Sequence, residues 1–191
     1  MLTAFVGAAT YVEPAAAGPV TRTYSASFPR MQGTGPSGHG DTQDSQAGSA
    51  TLTLNITNLT SAAFMFTFND NPPPLTARSP AGATFRVTSP EGNSSQAVCP
   101  PGGSMTATVQ FSMICVPPQD MVITAGSESE AGKMAAAKNT TSETGMGDWT
   151  IEITVQRDWA TPIHRPGGSI SWSVNTKVER YSLQVTELLR A

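Results

Sequence analysis

Two short clusters hold most of the residue types that could do chemistry. The stretch "HGDTQD" brings His39, Asp41 and Asp44 together in sequence. An imidazole and two carboxylates suit a transition metal, but a firm site needs three or four converging ligands. In a stretch this rich in Gly and Ser, the ordinary outcome is a solvated turn. The stretch "FNDNPPP" offers Asn69, Asp70 and Asn71. Their oxygens suit Ca²⁺, although EF-hand spacing is missing. Calcium is therefore the one cofactor the sequence admits, and none is expected as a requirement.

Catalysis finds little to work with. A serine triad needs a histidine, and only His39 and His164 exist, both in stretches rich in Gly or Pro. No Gly-x-Ser-x-Gly elbow occurs. Glu152 and Asp158 could be a carboxylate pair for glycoside chemistry, but their spacing is ordinary surface patterning. No enzyme is expected. Cys99 and Cys115, 16 positions apart, have no histidine close by and so make a poor zinc site. In a secreted chain such a pair suggests one disulfide; the alternative is two buried free thiols. Asn55, Asn58, Asn93 and Asn139 head glycosylation sequons, which matter only where the source glycosylates.

These residues must be positioned by strands. In "GDWTIEITVQRD", Trp149, Ile151, Ile153 and Val155 fall on every second position, with polar residues between. That period puts one apolar row on one face of a strand. Phe64, Phe66 and Phe68 form a second row, and Ile170, Trp172, Val174, Thr176 and Val178 a third. Leu52, Leu54 and Ile56 form another. The longest run is Met105, Ala107, Val109, Phe111, Met113 and Cys115. Tyr181, Leu183 and Val185 share a face near the end. Residues 20–28 also alternate, and 120–126 offer a further short strand. The alanine-rich stretch near 131–138 contains Gly132 and supports at most two helical turns. Residues 29–48 form a low-complexity Gly/Ser/Pro segment, expected as a long surface loop of functional type.

About nine short strands, regular turn signals and almost no helix predict an all-β chain. The expected fold is a two-sheet antiparallel β-sandwich of jelly-roll type. The expected core holds Trp149, Ile151, Trp172, Phe64, Phe66 and Phe68. The 191 residues make one sandwich over 20–191 and an arm over 1–19. Only 13% of residues are charged, with a net charge of −3. Ser, Thr, Gly, Ala, Pro and Asn take their place, which fits an extracytoplasmic setting: secreted, at the cell surface or membrane-anchored. No basic run exists, so nucleic acid is not an expected partner.

The arm begins "MLTAFVGAATYV", with Leu2, Phe5, Val6, Tyr11 and Val12. It is shorter than the roughly 20 residues a membrane helix needs. Three roles are open: an anchor or leader remnant that brings the chain near a membrane, an arm donated as a strand to a neighbouring subunit, or an ordinary first strand.

Three segments, in order, resemble a known family. "FRVTSPEGN", "GDWTIEITVQRD" and "GGSISWSV" are similar to strand patterns of proprotein-convertase P domains. "FMFTFNDN" is similar to a segment of the related pre-peptidase C-terminal domains. The resemblance spans roughly residues 50 to 187, with Gly147, Trp149 and the turn Ser89-Pro90-Glu91-Gly92 matching best. Phe68 stands where those domains often have Trp, and the 29–48 segment departs from them. Those families are non-catalytic, so the resemblance implies a jelly roll with a stabilising or targeting role. The expected function is a structural or accessory subunit of a cell-surface or membrane-associated assembly, with protein partners or self-assembly. The alternative is a carbohydrate- or protein-binding module of a secreted enzyme system.

Overall fold

The structure, a computed structural model, describes residues 20–43, 46–71, 80–139, 141–157 and 168–189. The arm over 1–19, with Leu2, Phe5, Val6, Tyr11 and Val12, lies outside the described residues, as do Asp44, Asp158, Trp159 and His164. The strands are β1 (Arg22–Ser27), β2 (Arg30–Gln43), β3 (Ala47–Leu54), β4 (Leu59–Asn71), β5 (Ala81–Thr88) and β6 (Ser94–Cys99). They continue as β7 (Thr106–Ser112), β8 (Met121–Ala125), β9 (Gly147–Arg157), β10 (Ser169–Tyr181) and β11 (Gln184–Glu187). One helix, α1 (Glu128–Lys138), follows β8.

Two four-stranded antiparallel sheets form, in the orders β2-β10-β4-β7 and β3-β9-β5-β6. The chain crosses from one sheet to the other at β2–β3, β3–β4, β4–β5, β6–β7 and β9–β10. That strand order is the jelly roll. A third sheet, β11-β1-β8, lies at one end with α1 against it.

Period-two patterning builds the core. Trp149, Ile151, Ile153 and Val155 of β9 are all buried, and so are Phe64, Phe66 and Phe68 of β4. Phe64 meets Trp149 with ring centroids 5.1 Å apart, and Phe66 stacks on Phe85 at 4.4 Å. Trp172 lies in the same cluster. The row of Trp149 is thus covered by the opposite sheet. At one end of the core Asp70 also points inward, because it shares a face with Phe66 and Phe68. There it receives Arg157 of the facing sheet in a two-pronged ion pair, at 2.5 and 3.1 Å.

The segment expected as a surface loop over 29–48 is instead strand. It forms all of β2, paired along its length with β10, and the start of β3. Composition misled here because the glycines are packing residues. A Cβ on Gly40 would lie 2.8 Å from Trp172 Cζ2, and one on Gly38 3.2 Å from Leu52 Cδ2. Bulky side chains from neighbouring strands fill the space where β2 has none.

Three other expectations change. There are eleven strands among the described residues, not about nine. The helix is 11 residues long, about three turns. Ser127 caps it by accepting the Glu130 N–H at 3.2 Å, and the Glu130 carboxylate accepts the Gly126 N–H at 2.8 Å. The last strand row breaks after Tyr181: Leu183 is exposed, and Val185 belongs to the third sheet. That sheet stands on the sandwich through its lower end. Ser27 of β1, Met121 of β8 and Gln184 of β11 lie at the sandwich side; Arg22, Ala125 and Glu187 lie at the far side.

Candidate functional site

Among the described residues, those singled out for metal chemistry do not converge. His39 and Asp41 point outward from β2. Register places Asp41 in a row with Ser171 and Asn69, and His39 in the next row with Ser173 and Thr67. Asn71 donates to Ser171 Oγ at 2.8 Å. Asp70 is committed to Arg157 and accepts the Ala81 N–H as well. Among the described residues no group of three or more His, Cys, Asp or Glu could hold a metal ion. Glu152 sits across from Arg86 on the outer face, 3.8 Å away and solvent-exposed.

Cys99 and Cys115 are free thiols, not the expected disulfide. The seven residues of β7 separate them, about 20 Å of extended chain. Cys99 donates to Thr106 O at one end of β7, and Cys115 lies beyond the other. Burial pushes both thiols up from their ordinary pKa; for Cys115 a hydrogen bond with Ser142 partly opposes it. Of the sequons, Asn55 and Asn93 are exposed. Asn58 and Asn139 are half-buried and structural: Asn58 Oδ1 accepts the Ser142 N–H, and Asn139 Nδ2 donates to Ala135 O.

The sandwich flank formed by β6 and β7 has a different character. Each is the free edge strand of its sheet. Neither contains a charged residue or a proline. Large apolar side chains stand exposed along it: Val98 (55%) and Met105 (50%) toward one end, Met113 (81%) and Val116 (73%) toward the other. Met113 was expected on the same strand face as Val109 and Phe111; the strand ends at Ser112, and Met113 adopts φ 58°, which turns it outward. The sequence carried a signal for this flank that went unused. From Gly92 to Gln119 the chain has no Asp, Glu, Lys, Arg or His.

The ladder phase of β7 follows from one bond. Phe68 N–H donates to Met105 O, so the odd-numbered residues of β7 exchange backbone bonds with β4. The N–H and C=O groups of Thr108, Gln110 and Ser112 therefore point to the free side. Beside this edge opens a cleft of about 330 Å³, lined by Phe111, Met113, Ile114 and Trp149 with Ser89 and Glu91. Phe111 is only half-buried, edge-on to Trp149 at 4.8 Å. Trp149 Nε1 donates to Gly145 O, and Gly145 N–H donates to Glu91. Burial pushes the Glu91 carboxyl up, but hydrogen bonding from Gly145, from Ser89 and from its own backbone outweighs that and holds it below its ordinary range.

A second feature is an open groove of about 700 Å³ on the outer face of the β2-β10-β4-β7 sheet. Its floor is Ala63; Gln32, Thr34, Gln110, Lys177 and Glu179 stand around it. No aromatic ring lines it.

No family model matches the chain, and no curated protein does. Solved structures give distant likenesses. A chain of Desmodium yellow mottle tymovirus aligns at 11% identity and a TM-score of 0.31, over 98% of this chain and 99% of that one. Structures of infectious bursal disease virus, Gt and Gx strains, align at 14% and 12% identity, each with a TM-score of 0.29. This chain covers 43% and 44% of those chains. The jelly-roll assignment comes from the strand order itself, and nothing further is drawn from these likenesses.

Proposed function

We propose that this chain is a non-catalytic structural subunit that assembles with copies of itself or with a protein partner. The observation that supports this reading is the β6–β7 flank: two uncharged, proline-free edge strands bordered by four exposed large apolar side chains. Monomeric sandwiches blunt such edges with lysine, proline or bulges, because free backbone groups template pairing with another chain. The contrast lies within the molecule. The free edge of the same sheet on the other side is β2, which carries Pro36, Arg30, Asp41 and a register break. The resemblance to convertase P domains supports the same accessory role. An extracytoplasmic setting belongs to the proposal on the low charge content and the exposed sequons at Asn55 and Asn93; the free thiols withdraw the disulfide as support. Sedimentation velocity of the purified chain over a hundredfold concentration range tests the reading. Concentration-dependent association is expected, and a monomer at every concentration that also retains no partner on co-purification would reject it.

A second reading, a binding module, draws on the groove over Ala63. Its amide, hydroxyl and charged groups could hydrogen-bond a sugar or peptide, but without a ring for a sugar to stack on. Titration with soluble oligosaccharides tests it; saturable heat that Lys177→Ala abolishes would favour it over assembly.

A further inference from the structure

Resting on the assembly reading, we propose that the free edge of β7 accepts the apolar N-terminal segment of a second copy, which adds to the sheet as a strand beside Thr106–Ser112. Four observations converge on this pairing. First, the ladder phase leaves the backbone groups of Thr108, Gln110 and Ser112 facing outward in an uncharged, proline-free strand. Added strands bind through such groups, and their alternate side chains supply specificity.

Second, the core is unfinished at this edge. Val109 is buried, but Ala107 and Phe111 of the same row are half-exposed, and the cleft beside Phe111 and Trp149 is open. A neighbouring strand with an apolar row would complete the cover and seat a side chain in the cleft.

Third, the N-terminal segment has the matching composition. Residues 1–12 carry no charge, and Leu2, Ala4, Val6 and Ala8 fall on alternate positions. Laid beside β7, that row would continue Ala107, Val109 and Phe111. A charged added strand would meet no counter-charge on β6, on β7 or anywhere from Gly92 to Gln119, and in the cleft only Glu91, which is already bonded to Gly145.

Fourth, the direction of β1 favours a second copy over the same one. The chain enters the described fold at Val20, which is exposed, and meets Arg22 at the end of the third sheet remote from the sandwich. The preceding residues depart from a point already a strand's length away from their own β7. To return to it the segment would have to reverse direction, whereas continuing in line with β1 it would meet a neighbour within its reach of up to about 60 Å.

The test uses the intact chain and a variant lacking residues 1–14. Both cores are built from residues 24 to 185, so the variant is expected to keep its β-sheet circular dichroism. The intact chain should assemble and the variant should be monomeric. A synthetic peptide of residues 1–14 should bind the variant, and Gln110→Pro in the variant should abolish that binding by removing one outward N–H. A readout independent of any folding defect comes from the peptide itself. N-methylation at Ala4, Val6 and Ala8, or at Thr3, Phe5 and Ala9, should abolish binding in one phase and spare it in the other. Equal binding by the two methylated peptides, or a deletion variant that assembles like the intact chain, would overturn the proposal while leaving assembly itself standing. A monomeric intact chain would remove the assembly reading together with it.

Discussion

The sandwich and the third layer bury their interiors by opposite means. Between the two large sheets stand Trp149, Trp172, Phe64, Phe66, Phe68 and Phe85. Sheets packed face to face lie about 10 Å apart, and only long side chains from both rows fill that gap. Under α1 the interior is Ala26, Ala125, Ala131 and Ala135 with Tyr24 and Ile123, so it holds only two large side chains. Alanines let the helix sit close on β1 and β8, so little apolar area is removed from water there. The large core therefore carries the global stability. The small one depends on caps, on surface pairs such as Arg22–Glu187, and on a few joints to the sandwich. Those joints are specific: Phe28 packs edge-on to Tyr181, the Phe28 N–H reaches Asp120, and Asn58 bonds both the N–H and the C=O of Ser142. The third layer is expected to open locally before the sandwich unfolds.

Substitutions can break or sharpen that contrast. The largest effect should come from Trp149→Ala, at about 3–5 kcal/mol, through lost burial and the cavity left against Phe64 and Phe111. Urea unfolding measures it, and an unchanged midpoint would show that the aromatic core does not carry the fold. Gly40→Val should cost about 1–3 kcal/mol, because its Cβ enters the space of Trp172. Were β2 a surface loop, the same change would be neutral in a thermal melt.

Ser127→Ala should cost the helix about 1 kcal/mol by removing its cap. Hydrogen exchange should then speed at α1 and β8 amides, with the sandwich amides unmoved. Faster exchange throughout would mean that the two regions open as one. The smallest effect concerns Glu91, whose carboxyl is held below its ordinary range in the fold. A depressed folded pKa contributes stability above the unfolded value, and that contribution is lost as pH falls through the folded one. The melting-temperature difference between the intact chain and Glu91→Gln should thus be present at pH 7 and narrow as pH drops through 4.5 and below. A difference that stays constant with pH would rule out the ionised carboxylate as its source.

Much of the sandwich was legible in one dimension. Side chains on a strand alternate strictly, so the rows of Trp149, Phe64 and Trp172 declared both their strands and their buried face before any fold was known. Turn signals such as Ser89-Pro90-Glu91-Gly92 marked where strands end. β2 was hidden because its inward row is largely glycine, and a row with no side chains has no period to detect. Met113 was misplaced because alternation shows which face a residue would take, not where the strand stops.

The candidate site was less legible still, for a physical reason. An edge strand and a central strand have the same apolar period; what separates them is whether a hydrogen-bonded neighbour lies on each side, and only the sheet order decides that. The charge-free run from Gly92 to Gln119 was in the sequence, but its meaning needed β6 and β7 side by side on one flank. The two cysteines make the same point. Their number and spacing allowed a bridge, and the seven-residue strand held straight between them placed them at opposite ends of β7. Local composition and period determined which residues this chain buries and that it builds facing sheets. Which backbone groups remain unpaired, and so where another chain can bind, was decided by long-range pairing alone, because a strand's free side is defined by the neighbour it lacks.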